Sequence, residues 1–305
     1  MTAPKRILQR VLVHSLKHNA PRQAINLFYD QLSWTNKHRL YYWTATQFTD
    51  ATPLDPGLWE VHFAGKKIVV PVNLRMDWDF AAGILGTDFD TKQTYEHLLK
   101  SNKPKCFFDI GTNRGSHSLL MLAHQVRTIS FEPNEVCHQY FKQCAALNGF
   151  KEEIHTLALS DANGTVDLCF PEDETGLGTI QDSTKNRLQT RNLRRVTVKK
   201  QLLDDFVKQT GLSPDLMKID TEGHELHVLR GGQETLKTLR PFVIFECWSH
   251  RQVANTNRHE VFEFLSETDY RIASLPKLLS LTKQQFADSE EINFAAIPNS
   301  PRSLA

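Results

Sequence analysis

Residues 106–135 read CFFDIGTNRGSHSLLMLAHQVRTISFEPNE. An apolar run, Cys106–Ile110, enters a turn that carries an acid and two glycines. A helical pattern follows, and a second apolar run, Thr128–Glu132, closes on a carboxylate. This is a strand–turn–helix–strand unit of the kind that builds a parallel sheet covered on both faces. Gly111 and Gly115 carry no side chain, which lets the backbone turn sharply and approach a ligand closely. The spacing is D-x-G-x-N-x-G, whereas a dinucleotide site needs G-x-G-x-x-G and a bare helix N-terminus for pyrophosphate. Asp109 stands where a pyrophosphate would be repelled, so the ligand predicted here is cationic and not phosphorylated.

S-adenosylmethionine has the matching parts. Asp109, at its strand end, is placed to hold an ammonium group, and Glu132 is placed to accept both hydroxyls of a ribose. Chain length and composition read as an ordinary soluble globular protein. The 305 residues can bury a substantial core. With 36 basic against 35 acidic residues and a net charge of +1, no global attraction to nucleic acid is expected. The five cysteines lack C-x-x-C or Cys/His ligand spacing and read as buried thiols of a reducing compartment. Asp220, Glu246 and a histidine would offer oxygen and imidazole ligands to a metal, but they have no compact ligand spacing, so no metal is expected. No apolar run reaches the roughly 20 residues that span a bilayer, and no signal-peptide core is evident. The expected location is cytoplasmic.

Around the motif, short apolar runs alternate with helical patterns. Strands are expected at Cys106–Ile110, Thr128–Glu132, Ile154–Leu159, Thr165–Cys169, Leu216–Asp220, Phe242–Glu246, Tyr270–Leu275 and Asn293–Ile297, with helices such as Val136–Asn148 and Glu222–Leu239 between them. Residues 101–298 form the main domain in this reading. Residues 1–100 form an extension that covers the sheet. Within it, 5–18 is a basic amphipathic helix that packs on its own domain, on a second subunit or on a membrane surface. The stretch 28–48 is rich in aromatics, including Tyr41 and Tyr42, and Leu58–Val72 reads as a hairpin about Ala64-Gly65. The polar stretch 171–195 breaks the periodicity and reads as a loop or lid, with Arg187, Arg191, Arg194 and Arg195 at its basic end.

A second motif, MKIDTEGHELHVLRGG at 217–232, ends a strand at Asp220 and starts a helix after a glycine turn. Ligands collect beyond the carboxyl ends of strands in open α/β sheets, where Asp109, Glu132 and Asp220 would meet. With D-I-G-T-N-R-G-S-H-S, S-F-E-P-N, Ala158–Ser160, K-I-D-T-E-G-H-E-L-H-V-L-R-G-G and F-V-I-F-E all in place, the chain resembles the FkbM-type S-adenosylmethionine-dependent methyltransferases over roughly residues 105–250. The resemblance implies a Rossmann-like, seven-stranded class I methyltransferase sheet with an antiparallel last strand. It also implies O-methylation of a hydroxyl on a sugar, glycolipid or secondary metabolite. Carried over residue by residue, it gives Asp109, Gly111, Asn113, Gly115 and Glu132 to the cofactor, puts Ser160 or Asp161 near the adenine, and turns Asp220, Glu222 and His224 toward the reacting methyl. Thr112, Arg114 and His117 depart from the family pattern.

Methyl transfer needs the acceptor oxygen held in line with the methyl carbon and a group to take its proton. His224 is the first choice of base, because an unperturbed pKa of about 6.5 suits neutral pH. Asp220 is the second, as base or orienting group. The acceptor class is a small molecule, glycan or lipid-linked hydroxyl. A cofactor-binding scaffold without catalysis, a nucleic-acid methyltransferase and an NAD(P)-dependent oxidoreductase are the competing readings.

Overall fold

The computed structural model describes residues 11, 12, 14–45, 53–171, 193–249 and 257–300. Two helices, α1 (Asn19–Tyr29) and α2 (Trp34–Ala45), precede a hairpin of β1 (Pro53–Phe63) and β2 (Lys66–Leu74). Strict alternation makes the hairpin: Trp59, Val61, Phe63, Ile68, Val70 and Val72 are all buried on one face. Ala64 and Gly65 turn the chain with φ of 45° and 80°, the left-handed pair a two-residue hairpin loop requires. Helices α3 (Arg75–Gly86) and α4 (Phe89–Ser101) then lead into the sheet.

Strands β3 (Cys106–Ile110), β4 (Arg127–Phe131) and β5 (Ile154–His155) alternate with α5 (Ser116–Ala123) and α6 (Glu135–Leu147). Beyond them come β6 (Ala158–Ser160), β7 (Gly164–Pro171), β8 (Leu193–Leu202), α7 (Leu203–Thr210), β9 (Leu216–Ile219), α8 (Glu225–Gly231) and α9 (Gln233–Leu239). The chain closes with β10 (Phe242–Glu246), α10 (Arg258–Glu267), β11 (Tyr270–Ser274), α11 (Lys283–Asp288) and β12 (Asn293–Pro298). The main sheet has seven strands in the order β11-β12-β10-β9-β3-β4-β5. β10, β9, β3, β4 and β5 run parallel, and β12 enters antiparallel between β10 and β11. This is the doubly covered sheet with an antiparallel last strand that the resemblance implies.

Phe107 and Phe108, neighbours on the central strand, divide the core between the two faces. Phe107 joins the extension's Trp59, Trp78 and Tyr95 on one face, and Phe108 joins Phe206, Met217 and Phe245 on the other.

Three elements differ from the sequence reading. The run Ile154–Leu159 is two strands: β5 stays in the main sheet, whereas β6 pairs with β8 in a separate three-stranded sheet. β8 begins at Leu193, inside the stretch read as loop; its first half is exposed on both sides, so no alternation marks it. The helix expected over Glu222–Leu239 starts only at Glu225, because Glu222 and Gly223 adopt φ of 54° and 98°. It also breaks at Gly231-Gly232, where a Cβ on Gly231 would lie 1.9 Å from the Ser160 carbonyl oxygen. Residues 172–192 and 1–10 lie outside the described residues, and with them most of the lid stretch and about half of the 5–18 helix.

The departures at 112 and 114 have structural reasons. Thr112 Oγ1 donates to the Asp109 carbonyl at 2.7 Å and accepts from Phe131 N at 3.1 Å, tying the ends of β3 and β4 together. Arg114 fastens the extension to the motif turn. Its guanidinium donates to Asp77 Oδ1 and to the Met76 carbonyl, both at 2.6 Å, and lies 3.7 Å from the Tyr140 ring centroid. Replacing Arg114 by Ala is expected to lower stability by about 2–3 kcal/mol, since a nearly buried charge-assisted fork is lost. Arg114→Lys should recover only part, because an ammonium cannot reproduce the fork. Urea unfolding of the three proteins tests this, and indistinguishable midpoints would remove the clamp.

Candidate active site

A cavity of about 820 Å³ opens beyond the carboxyl ends of β3, β4, β9 and β10. The turns after these strands form its floor: Ile110–Asn113, Phe131–Pro133, Asp220–Glu222 and Glu246. His38, Tyr41 and Tyr42 of α2, Thr87–Asp90 and Glu291–Asn293 complete it. Among the described lining residues there is no Lys or Arg.

Glu132 is the best-defined group. Its Oε2 accepts from Asn113 N and its Oε1 from Asn134 N, each at 2.8 Å. Every carboxylate oxygen has a further lone pair, so the side chain remains able to accept two more donors. Burial pushes its carboxyl up to about 7, and the two backbone amides restrain the rise. Asn113 takes the left-handed conformation, φ 53°, that aims its N–H at Glu132.

Other expected cofactor residues are placed differently. Gly111 lines the cavity, but its glycine identity answers to the neighbouring strand: a Cβ would lie 1.7 Å from the Asp220 carbonyl oxygen. At Gly115 a Cβ would lie 2.1 Å from the Phe141 ring, so packing and not ligand approach requires this residue. Asp109 is 1% exposed and sits behind the cavity wall, where Ser118 Oγ donates to its Oδ2 at 2.5 Å. Burial holds its carboxyl up at about 6. It braces the turn where direct ammonium contact was expected. Ser160 and Asp161 also lie off the cavity, paired with His224 Nε2 (2.9 Å) and His227 Nδ1 (2.7 Å). Leu157, Ala158 and Leu159 face the cavity in their place.

Asp220, Glu222 and His224 all line the cavity, as expected. Lys218, buried beneath them, donates to Asp220 Oδ2 at 2.6 Å. Burial works against its charge, but Asp220, Asp88 and Asp109 outweigh that and hold the ammonium above its ordinary value. His224 differs from the sequence expectation. Its ring stacks on His227 at 4.3 Å, its Nε2 meets Ser160, and burial together with His227 drives it down to about 3. The imidazole is therefore neutral throughout the physiological range and a weak proton acceptor.

Glu225 joins the strand-end acids Asp220 and Glu246 in a carboxylate trio. Asp220, Glu225 and Glu246 each bring an oxygen within 4.8 Å of the others. Glu225 Oε1 accepts from Thr221 N, Thr221 Oγ1 and Gly223 N, while burial pushes its carboxyl up to about 7. Glu246 Oε2 is sheltered from solvent without a hydrogen-bond partner among the described residues. Burial and the charges of Asp220, Glu222 and Glu225 raise Glu246 well above the carboxylate range. Oxygens at this spacing are donors for a hard divalent cation, although three carboxylates are fewer than the ligands such an ion takes.

Sequence reading missed one further pair. Asp88, φ 40°, faces His117 Nε2 at 3.6 Å and accepts from Asn293 Nδ2 at 3.2 Å. Burial opposes its charge, yet His117, Lys92 and Lys218 hold its carboxyl well below the usual range. The oddity of His117 was the available signal. Arg195 lies instead on β8, exposed, 3.9 Å from Asp167.

A mostly parallel seven-stranded sheet with an antiparallel last strand and carboxylates on its C-terminal rim defines the class I methyltransferase fold. The FkbM methyltransferase domain model matches residues 109–272, and the chain belongs to that family. Methyltransferase sdnD of Sordaria araneosa is 30% identical over 168 residues, covering 46% of this chain and 65% of that protein. The 2-O-methyltransferase NoeI of Sinorhizobium fredii (strain NBRC 101917 / NGR234) is 30% identical over 179 residues, covering 53% of this chain and 72% of NoeI. The crystal structure of methyltransferase FkbM from Methylobacillus flagellatus KT aligns with a TM-score of 0.42 at 14% identity, over 72% of this chain and 54% of that one. The chain thus spans just under two thirds of sdnD and about half of the crystallised protein. Among the described residues, no helix is long and apolar enough to cross a membrane.

Proposed function

We propose that this chain is an S-adenosylmethionine-dependent O-methyltransferase acting on a hydroxyl of a small-molecule, glycan or lipid-linked acceptor. The observation that carries the reading is a strand-end cavity lined by Glu132, Asp220, Glu222 and Glu246 without a described Lys or Arg, which suits a cationic donor and opposes a phosphorylated one. When bound, S-adenosylmethionine supplies an electrophilic methyl group: the C–O bond to the acceptor forms as the C–S bond breaks, and its electron pair stays on sulfur. Glu132 uses its remaining lone pairs on the two ribose hydroxyls. Phe131 and Leu157–Leu159 give the adenine an apolar wall. Asp220, its carboxylate fixed by Lys218, takes the proton of the attacking hydroxyl and passes it to solvent. His224 shapes the wall and stays neutral.

The buried acids give this reading a proton signature. Glu132 and Glu225 lie near 7, so part of this pair is protonated at neutral pH, and burial with the neighbouring acids raises Glu246 as well. An arriving cation favours their ionised forms, so binding releases protons and tightens as pH rises between about 6 and 8. S-adenosylhomocysteine, uncharged at sulfur, should release fewer. Calorimetry of both ligands in buffers of different ionisation enthalpy measures the difference. Label from methyl-labelled S-adenosylmethionine should then enter one acceptor fraction of a cell extract. Absence of binding by either ligand overturns the proposal, and binding without label transfer favours the non-catalytic scaffold.

A further inference from the structure

One part of the cavity wall is built by segments outside the family-matched stretch: α2, the start of α4 and the loop before β12. Two kinds of group meet there. His38, Tyr42 and Phe89 form an aromatic set, with His38 4.6 Å from Tyr42 and 5.0 Å from Phe89 between ring centroids. His38 is fixed by the hydrogen bond from its Nδ1 to the Gly86 carbonyl, at 2.8 Å. The second kind is acidic: Asp88, Asp90 and Glu291. Asp88 is held ionised by His117, Lys92 and Lys218, as described above. Asp90 and Glu291 have no ion-pair partner among the described residues. Asp90 Oδ1 accepts from Thr91 N at 2.8 Å; burial pushes the carboxyl up to about 6 against that hydrogen bond, and the charges of Asp88 and Glu291 add to the rise.

Aromatic faces beside unpaired carboxylates are the surroundings in which an organic cation is bound, through the ring quadrupole and through direct charge pairing. We propose that this part of the cavity binds an ammonium group on the acceptor, so that the preferred substrate is a hydroxylated ring bearing a free amine, as in an amino sugar. Acceptors bearing carboxylate, phosphate or sulfate at that position are excluded by repulsion. This inference rests on the methyltransferase reading and deepens it. It also accounts for transfer to oxygen: an amine kept protonated by Asp90 and Glu291 has no lone pair to attack the methyl group, whereas the neighbouring hydroxyl gives its proton to Asp220.

The test uses the full chain saturated with S-adenosylhomocysteine and three probes near neutral pH: D-glucosamine, N-acetyl-D-glucosamine and D-glucuronate. Ligand-observed NMR titration should show glucosamine binding about tenfold more tightly than its N-acetyl form, with no binding of glucuronate. In the Asp90→Asn/Glu291→Gln double variant the preference should fall to within about twofold while S-adenosylhomocysteine affinity is unchanged. Equal binding of the amine and the amide, binding of glucuronate, no binding of any probe, or a preference that survives in the double variant each overturns the inference. Failure of wild-type protein to bind S-adenosylhomocysteine would instead overturn the underlying reading, so the two failures are distinct.

Discussion

Asp220→Asn should lower methyl-transfer turnover by about 10²–10⁴ while affinity for S-adenosylhomocysteine stays within about threefold. The amide keeps the size and can still accept from Lys218, but it cannot hold the acceptor's proton. A carboxylate so placed also orients the attacking hydroxyl, and that contribution is lost in the same step. The matched control is His224→Asn. Because that imidazole is already neutral, stacked on His227 and engaged with Ser160, its replacement should lower turnover by less than about tenfold while lowering thermal stability. Single-turnover rates of the two variants separate the roles. If His224→Asn abolishes transfer and Asp220→Asn leaves it intact, the proton goes to the histidine after all.

Glu132→Gln should weaken cofactor binding by about a hundredfold, the loss of two hydrogen bonds to a charged acceptor at roughly 1.5 kcal/mol each. The substitution also turns an amide NH₂ toward Asn113 N or Asn134 N, two donors now served by the carboxylate oxygens. The motif turn should therefore loosen, with faster amide exchange at Asn113. A double-mutant cycle with a ligand lacking the ribose hydroxyls isolates the direct part. Unaltered affinity in the variant, or an equal loss for the deoxy ligand, removes Glu132 from ribose recognition.

Much of the sheet could be read from the sequence because parallel strands buried on both faces appear as short continuous apolar runs. Cys106–Ile110 and Phe242–Glu246 are bounded in the structure as in the sequence reading. β8 could not be read this way: its exposed residues Arg194, Arg195 and Thr197 give no periodicity, and only pairing with β7 and β6 defines it as a strand. The rim acids Glu132, Asp220 and Glu222 reach the cavity as strand-end residues should. Asp109 illustrates the limit. Its strand position was legible, yet its side chain turns to Ser118, in the first turn of α5. His224 shows a second limit, since residue type suggests a titratable base and only burial against His227 shows that it stays neutral. Asp220 and Glu246 share the rim as strand-end residues, whereas the turn of Glu225 toward them and the pairing of Asp88 with His117 depend on tertiary placement that no local pattern encodes.

The fastening of residues 76 and 77 to the motif turn through Arg114 has a consequence for how this scaffold diversifies. Glu132 and Asp220, proposed for donor binding and proton removal, lie within the family-matched stretch. The appended pieces proposed to meet the acceptor, α2, the start of α4 and the loop before β12, contribute to the cavity from either side of it. Two members of the family could share every motif residue and still modify unrelated molecules. Exchanging the appended pieces as a set, with the arginine anchor retained, is then the economical route to a new acceptor.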